Sequence, residues 1–365
     1  MGFGIVSRGS AGPGLELMSV AQAPGGPPAD GADRRPSIID VARVAGVSRQ
    51  TVSNVLNGRK AYYSDETHAR VTAAMEELSY RPSRAAQFMR SQRTMQIGYH
   101  LFGEQLEQVN GFTLSFLQAL VKAAAREGYH IVVFTHHDDD PLQVFRDLIA
   151  RRGVDAFIVS ESRVDDPRAR LLAEKGVPFA SFGRLAPGLP QQWVDVDNVA
   201  GILELVEYLV AAGHREYAFV GADGGEYWKQ ERREGFTAGL ARHGLRVPDD
   251  LVFHGSGSRL RDRIRALLTR ADRPSAIVTS SDAVAAVVVN VCNALGLRVG
   301  ADIAVAGFDG GAIGLLTEPT LTSVRIPVEK VAAELIARCL AEMRAGPTGR
   351  PGVLVPTEIV RGGSA

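Results

Sequence analysis

Two periodicities divide the chain. From Ser37 to Leu78 apolar residues recur at helical spacing, and from Gln96 onward short apolar runs alternate with amphipathic helical stretches. The first region opens with SIIDVARVAGVSRQTVSNVLN, residues 37–57. Ser37 is placed to cap a helix, with Asp40 three residues on in the capping-box position. Ile39, Val41 or Ala42, and Ala45 give that helix an apolar face. Gly46 ends it, because glycine tolerates the backbone of a sharp turn, and Val47 plugs the junction. Ser48 caps a second helix, Arg49 to Leu56, whose Val52, Val55 and Leu56 point inward. A third helix starts at Ser64-Asp-Glu-Thr67, turns Val71, Ala74, Met75 and Leu78 inward, and stops at Tyr80-Arg81-Pro82.

The second region predicts strands at Gln96–Leu101, His130–Phe134, Ala156–Ser160, Phe179–Phe182, Tyr217–Val220, Ala276–Thr279 and Ile303–Phe308. Between them fall helices at Thr113–Glu127, Pro141–Arg151, Pro167–Lys175, Asn198–Ala212, Lys229–His243, Ser258–Arg270 and Ala283–Leu295. Alternation of this kind implies parallel sheets flanked by helices. So many strands exceed one compact sheet, which implies two lobes. The change of lobe is expected near Asp195-Val-Asp-Asn198, after the loop Leu185–Gln192.

Chemistry first enters on the second helix of the N-terminal region. Arg49, Gln50, Ser53, Asn54 and Asn57 fall on its outer face. Arginine bonds two acceptors of guanine in the major groove, and Gln or Asn bonds adenine. A helix-turn-helix presents the start of its second helix to base edges. The competing reading is a solvated polar face on an ordinary helical hairpin.

Charge favours the nucleic-acid reading. The chain has 365 residues and formal net charge zero. Between Arg34 and Arg93 lie eleven basic residues and five acids, six more positive than negative charges, so the remainder is acidic by the same amount. A basic end on an acidic body confines phosphate attraction to that end. Residues 1–35 are rich in Gly, Pro and Ala and lack the pattern of a signal peptide, so they are expected to be a disordered tail, with Met18 an alternative start. No 18-residue apolar run predicts a membrane span. Cys292 and Cys339 lie in apolar helical patterns and are expected to be buried thiols. P-loop, GxGxxG, HExxH and GxSxG patterns are absent, and no spacing singles out a nucleophile, so no enzyme activity and no cofactor are expected.

DVARVAGVSRQTVSNVLNG, the S-x-E-T cap and the segment LSYRPSRAAQFMRSQRT resemble the LacI family of bacterial transcriptional regulators, and the likeness extends over residues 37 to 361. It implies an α/β protein: a small all-α helix-turn-helix headpiece followed by a two-lobed, parallel-sheet, periplasmic-binding-protein-like domain. The expected parts are a tail (1–35), a DNA-binding domain (36–81), a hinge helix and linker (82–95), a first lobe (96–194 plus 318–346) and a second lobe (195–317 plus 350–361). The chain would return to the first lobe through Pro319–Val324 and a helix at Pro327–Arg344, then re-enter the second with Val353–Val360.

The resemblance also implies roles. A cytoplasmic homodimer would bind a pseudo-palindromic double-stranded operator as a repressor of carbohydrate genes, without membrane contact. Arg49, Gln50 and Asn54 would read bases; Ser48, Thr51, Ser53, Asn57 and the hinge Arg84 would contact backbone or neighbouring bases. Met89 stands where the family carries a leucine that wedges into the minor groove. Arg184, Arg232, Asp282, Asp309 and Ser160, at strand ends, would hold a small-molecule effector, a sugar, between the lobes. The alternative is that these groups pair with each other. Asn110-Gly-Phe-Thr113 replaces the common Asn-Pro-Phe-Phe, and Ser281 replaces an Asn. His136-His-Asp-Asp-Asp140 permits a metal site, against the reading in which Asp140 caps the next helix. Trp193 and Trp228 are candidates to stack on a sugar. The same fold answering to a protein co-regulator or a non-sugar metabolite, and a solute-binding protein, are the alternatives.

Overall fold

The computed structural model describes residues 36–81, 93–101, 111–136, 140–163, 165–185, 188–189, 192–346 and 351–365. It divides after Ser83 into two compact units.

The N-terminal unit is three helices, α1 (Ile38–Ala45), α2 (Arg49–Leu56) and α3 (Asp65–Glu77). The capping box forms: the Asp40 amide donates to Ser37 Oγ and the Ser37 amide to Asp40 Oδ2 at 2.9 Å. Gly46 ends α1 in the left-handed conformation, φ 62° and ψ 38°. The Arg70 guanidinium, from α3, donates to the carbonyls of Ala45 and Gly46 and satisfies the end of α1. Val41, Ala42, Ala45, Val52, Val55, Val71 and Ala74 form the core. Ile39, expected on the inner face, is 55% exposed. An eight-residue helix buries only the stripe carrying Val41, Ala42 and Ala45, and Ile39 lies off it.

The second unit holds two six-stranded sheets. In the first sheet the order is β11-β5-β4-β3-β1-β2, with β1 Gln96–His100, β2 His130–Phe134, β3 Ala156–Val159, β4 Phe179–Phe182, β5 Gln192–Val196 and β11 Val353–Val355. In the second it is β12-β10-β9-β8-β6-β7, with β6 Tyr217–Ala222, β7 Val252–Gly255, β8 Ala276–Thr279, β9 Ala304–Asp309, β10 Thr322–Arg325 and β12 Glu358–Val360. Every pairing is parallel except β12 on β10. Helices α4 (Gly111–Arg126), α5 (Gln143–Ala150), α6 (Pro167–Glu174), α7 (Asn198–Ala211), α8 (Tyr227–Arg242), α9 (Gly257–Leu268), α10 (Asp282–Ala294), α11 (Ala312–Leu315) and α12 (Val328–Ala345) lie between the strands in sequence. The seven expected strands and the helices between them are present, with ends shifted by one or two residues.

The crossings between lobes differ from expectation. The first sheet runs on through Val196, and the chain leaves it only where Asp197 caps α7 by accepting from the Ala200 amide at 2.9 Å. Residues 322–325, expected in the first lobe, form β10 in the second sheet, beside β9 with Thr322 opposite Ala306. The return follows at Ile326-Pro327, where proline has no N–H to continue a ladder, and α12 begins at Val328. Residues 353–355, expected in the second lobe, join the first sheet beside β5. Pro356 splits the run Val353–Val360 into two strands that go to different sheets. Cys292 and Cys339 are buried and unbridged. Among the described residues no helix is long and apolar enough to cross a membrane.

Helices α7 and α8 pack against each other through glycines one turn apart. A Cβ at Gly235 would lie 2.9 Å from the Val199 carbonyl oxygen, and one at Gly239 3.0 Å from Val206 Cβ. Gly235→Ala is expected to overpack this contact and destabilise the second unit by about 1–3 kcal/mol, read as a lower urea midpoint. An unchanged midpoint would show that the two helices have room to separate.

Candidate functional site

Two places gather the chemistry predicted from the sequence, one in each unit. In the N-terminal unit, Ser48 Oγ accepts the Thr51 amide at 3.0 Å and fixes the start of α2. Ser48, Arg49, Gln50 and Asn57 are exposed, and Thr51 and Ser53 are half-buried. Arg49 is exposed and has no ion-pair partner among the described residues. Asn57 Nδ2 donates to Ser53 Oγ at 3.3 Å.

Asn54 departs from its expected place on the outer face: it is buried, at 8% exposure, and accepts from Gln50 Nε2 at 3.2 Å. The segment after α2 folds back toward it, with the Arg59 amide on the Asn54 carbonyl and a short 3-10 turn at Lys60–Tyr62. As placed, Asn54 orients Gln50, which occupies the exposed position. Arg84 and Met89 lie outside the described residues.

In the second unit, strand ends and helix starts of the second lobe meet at Arg232, which is 4% exposed. Its Nε donates to Asn198 Oδ1 at 2.9 Å; its Nη1 donates to the Ser280 carbonyl at 2.6 Å and to Asp309 Oδ1 at 3.3 Å. The guanidinium lies 3.5 Å from the Phe308 ring centroid and 4.3 Å from that of Trp228. Asp309 holds φ 115°, which a residue with a side chain adopts only under constraint.

Asp282, at the start of α10, accepts from Ser323 Oγ at 2.5 Å and from the Gly311 amide at 2.9 Å. Ser281 caps that helix, its Oγ accepting the Val284 amide at 3.3 Å. Burial pushes the Asp282 carboxyl up to about 6 and the Asp309 carboxyl up to about 8, and the Arg232 charge only partly offsets it.

Arg184 reaches across from the first lobe. It bonds Asp195 at 3.3 Å and Glu231, and Glu231 in turn accepts from Asn198 Nδ2 at 3.0 Å. The structure thus gives Arg184 a lobe-pairing partner set, the alternative reading of that residue. A second bridge runs from Trp228 Nε1 to Glu161 Oε2 at 3.1 Å, so Trp228 is engaged by Arg232 and Glu161 together. Ser160, expected in the cleft, turns its hydroxyl into the first lobe, 3.0 Å from Tyr99 OH, and is 4% exposed. The strand ends there and side chains alternate across it, so the outward position falls to Glu161, at φ 52°.

Beside the two aspartates lies an open cleft of about 210 Å³, lined among others by Phe112 of the first lobe and by Asp282, Asp309 and Ile313 of the second. Phe112 stacks with Phe116 and Phe182, centroids 5.9 Å away in each case. Sequence reasoning did not single out Asn198, Glu231, Ser323 or the role of Phe112. Asn198 and Glu231 each adjoin a flagged segment, and only the fold turns their side chains inward. At the far end of the first sheet, His136 Nδ1 lies 2.9 Å from His100 Nε2. Asp140 accepts the Leu142 amide at 2.9 Å and pairs with Arg146, but α5 starts only at Gln143 with Leu142 at its cap position, so Asp140 stands ahead of the helix and does not cap it. His137, Asp138 and Asp139 lie outside the described residues.

Comparison with known proteins follows the same division. The profile of bacterial regulatory proteins of the lacI family matches residues 37–83, and that of the periplasmic binding protein-like domain matches residues 206–365. The chain is 31% identical over 332 residues to the HTH-type transcriptional regulator CelR of Thermobifida fusca, covering 88% of this chain and 96% of that one. It is 28% identical to the HTH-type transcriptional regulator GalR of Escherichia coli over 84% of this chain and 88% of the other. Among solved structures, a CelR–cellobiose complex superposes with TM-score 0.68 at 28% identity, covering 91% of this chain and all of that one. The lac repressor dimer bound to operator and an anti-inducer shares the fold, with TM-score 0.75 at 24% identity over 91% of this chain and 99% of that one.

The raised carboxyls predict a pH dependence. An unfolded Asp309 titrates near 3.8 and the folded one near 8, so between these values the native state keeps a proton that the unfolded chain has lost. This residue's contribution to stability therefore falls as pH rises from about 4 to 8. Comparing melting temperatures of the wild type and Asp309→Asn across that range isolates it: the wild type should lose stability relative to the variant with rising pH, and parallel curves would contradict the assignment.

Proposed function

The chain belongs to the LacI family of bacterial regulatory proteins and is a DNA-binding transcriptional regulator, and we propose that it is a homodimeric, cytoplasmic repressor whose operator affinity is set by a sugar bound between the two lobes. In this reading residues 36–81 read DNA and residues 82–95 join them to the sensor. The first lobe holds residues 96–196, 327–346 and 353–355, and the second holds most of the remainder. The protein binds its effector and releases it unchanged.

The observation that carries the DNA role is the capped start of α2, which presents Arg49 and Gln50 outward with Asn54 bracing Gln50. Arg49 reads guanine and Gln50 reads adenine in the major groove. Ser48, Thr51, Ser53 and Asn57, together with Arg84, hold the phosphate backbone, and Met89 supplies the apolar wedge at the centre of the operator. A pseudo-palindromic operator matches two such units in one dimer. Leu114 and Val121 on α4 and Leu315 and Leu316 at α11 are exposed apolar side chains of the kind an interface covers.

The sugar reading is supported by the Phe112 face opposite Asp282 and Asp309, and by the likeness to a regulator solved with cellobiose. Carboxylates accept from hydroxyls while an aromatic face covers the apolar side of a sugar ring. As it stands the cleft encloses far less space than the ~300–1,000 Å³ of sites that enclose small ligands. A disaccharide therefore enters as the lobes part, and the Arg184–Glu231 and Trp228–Glu161 bridges oppose that opening. Arg232, Asp282 and Asp309 take the ligand, Arg184 joins them once its own pair opens, and Ser160 supports the first-lobe wall from behind.

In vitro selection of DNA by the full-length protein should return a two-fold-symmetric site. Arg49→Ala should then weaken binding by about 1–3 kcal/mol and relax the preference at one base pair of each half-site. Uniform weakening on all sequences, with the preference intact, would remove Arg49 from base reading.

A further inference from the structure

The cleft and the path to the DNA-binding unit meet the first sheet at opposite ends of its strands. All pairings in that sheet are parallel. The first-lobe residues at the cleft follow strand ends, Glu161 after β3 and Arg184 after β4. Residues 82–92 precede Arg93 and the start of β1 in sequence. At that start the Asp155 carboxylate accepts from the Thr94 amide and hydroxyl, at 2.7 and 2.9 Å, and from the Met95 amide at 2.8 Å. Strand β1 does not itself cross to the second lobe. Strands β3 and β4 separate it from β5 and β11, which lead to crossings.

Helix α12 touches both ends. It starts directly after the crossing at Ile326-Pro327, where the Ile326 amide donates to the Asp309 carbonyl at 3.1 Å. It is 18 residues long, roughly 27 Å at 1.5 Å per residue. At its far end the Met343 carbonyl accepts from Arg93 Nη2 at 3.2 Å. That carbonyl belongs to the last turn, whose acceptors lack intrahelical donors, and a cation suits the negative end of the helix dipole. Between the ends Arg338 fixes the register. It is 7% exposed, and its Nη1 donates to Gln192 Oε1 at the start of β5, at 2.9 Å, and to the Pro351 carbonyl ahead of β11, at 2.8 Å. One side chain thus ties together the three elements of the first lobe that lead to crossings.

We propose that α12 is the strut that carries the state of the cleft to the DNA-binding linker, with Arg93 and Arg338 as its positioning residues. This rests on reading the cleft as the effector site. When the lobes part, the root of α12 at Ile326 shifts. Val331, Leu335, Ile336 and Leu340 hold the helix in the core, and a close-packed element transmits a displacement as a body. Arg93 then follows the Met343 carbonyl, while Asp155 keeps Thr94 and Met95 on the sheet. The linker is attached to two elements, one rooted at the cleft and one not, so their relative movement changes how it leaves the sensor. Arg338 makes α12 move together with β5 and β11, and without it a displacement at the root is dissipated before it reaches Arg93.

The test is a double-mutant cycle on operator affinity, which requires no ligand. Full-length wild type, Asp309→Gly, Arg93→Met and the double variant are compared by fluorescence anisotropy on the operator returned by in vitro selection, after circular dichroism shows each to be folded. Glycine suits φ 115°, so Asp309→Gly perturbs the cleft end without straining it. Arg93→Met removes the charge and keeps the apolar stem. Sites this far apart ordinarily act independently, so that their fold-changes multiply. The expected result is a double variant whose dissociation constant departs from the product of the single fold-changes by more than about three-fold. Repeating the cycle in Arg338→Met, or in Gln192→Ala if that variant does not fold, should bring the departure below this factor. Single effects that multiply to within it in the wild-type background, or a departure that survives loss of the Arg338–Gln192 bond, would overturn the strut and leave the sugar-sensor reading in place. An operator constant unmoved by Asp309→Gly would overturn the cleft as a switch and the strut with it.

Discussion

The cleft of the body is organised around one buried cation, Arg232. A guanidinium taken out of water costs several kcal/mol unless its donors and charge are satisfied. Arg232 meets that requirement with groups from three separate places: Asn198 at the start of α7, the Ser280 carbonyl beyond β8, and Asp309 at the end of β9. Phe308 and Trp228 cover its faces. Because the partners come from different elements, satisfying Arg232 also fixes where the second sheet's strand ends stand. Its neighbours carry the constraint to the other lobe, Glu231 to Arg184 and Trp228 to Glu161. The cleft is therefore an arrangement in which each charged group answers to more than one other, and a ligand that enters it must exchange bonds with a network already formed.

The N-terminal unit solves a different problem with local means. Its core is only a handful of aliphatic side chains, so much of its order comes from helix ends. Ser37, Ser48 and Ser64 each accept an amide at a helix start, and Arg70 completes the end of α1. Caps cost little sequence and leave the exposed side chains of α2, such as Arg49, out of the core. That is what a surface meant to read bases requires: a rigid backbone under exposed donors.

This contrast explains what was legible from the sequence. Caps, the Gly46 turn and the strand–helix alternation act over a few residues, so their signatures are local and each reappears in the structure. From the sequence, Thr322–Arg325 and Val353–Val355 fall in the wrong lobe and the strands at Gln192–Val196 and Val252–Gly255 are missed, because sheet membership is decided by pairing across long sequence separations. Pro327 and Pro356 mark the crossings, but proline says only where a strand stops and not which sheet follows. At the site, Arg232, Asp282 and Asp309 are expected from the family resemblance, and the structure puts them in α8, at the start of α10 and at the end of β9. Asn198 and Glu231 are not expected, since their importance lies in whom they meet. Ser160 and Asn54 had suitable chemistry but turn inward, one because strand side chains alternate and the other because the chain folds back over the flank of α2.

The central claim is that occupancy of the cleft and affinity for DNA are coupled. The most direct measurement is the dissociation constant of the full-length protein for its selected operator, by fluorescence anisotropy at fixed salt, with and without a saturating ligand found to bind the cleft. Coupling between two sites is typically worth ~1–3 kcal/mol, so the account predicts that the constant changes about 5–150-fold with ligand and that Asp282→Asn, by weakening ligand binding, shifts the ligand concentration needed. An operator affinity that stays the same at full occupancy of the cleft would contradict it.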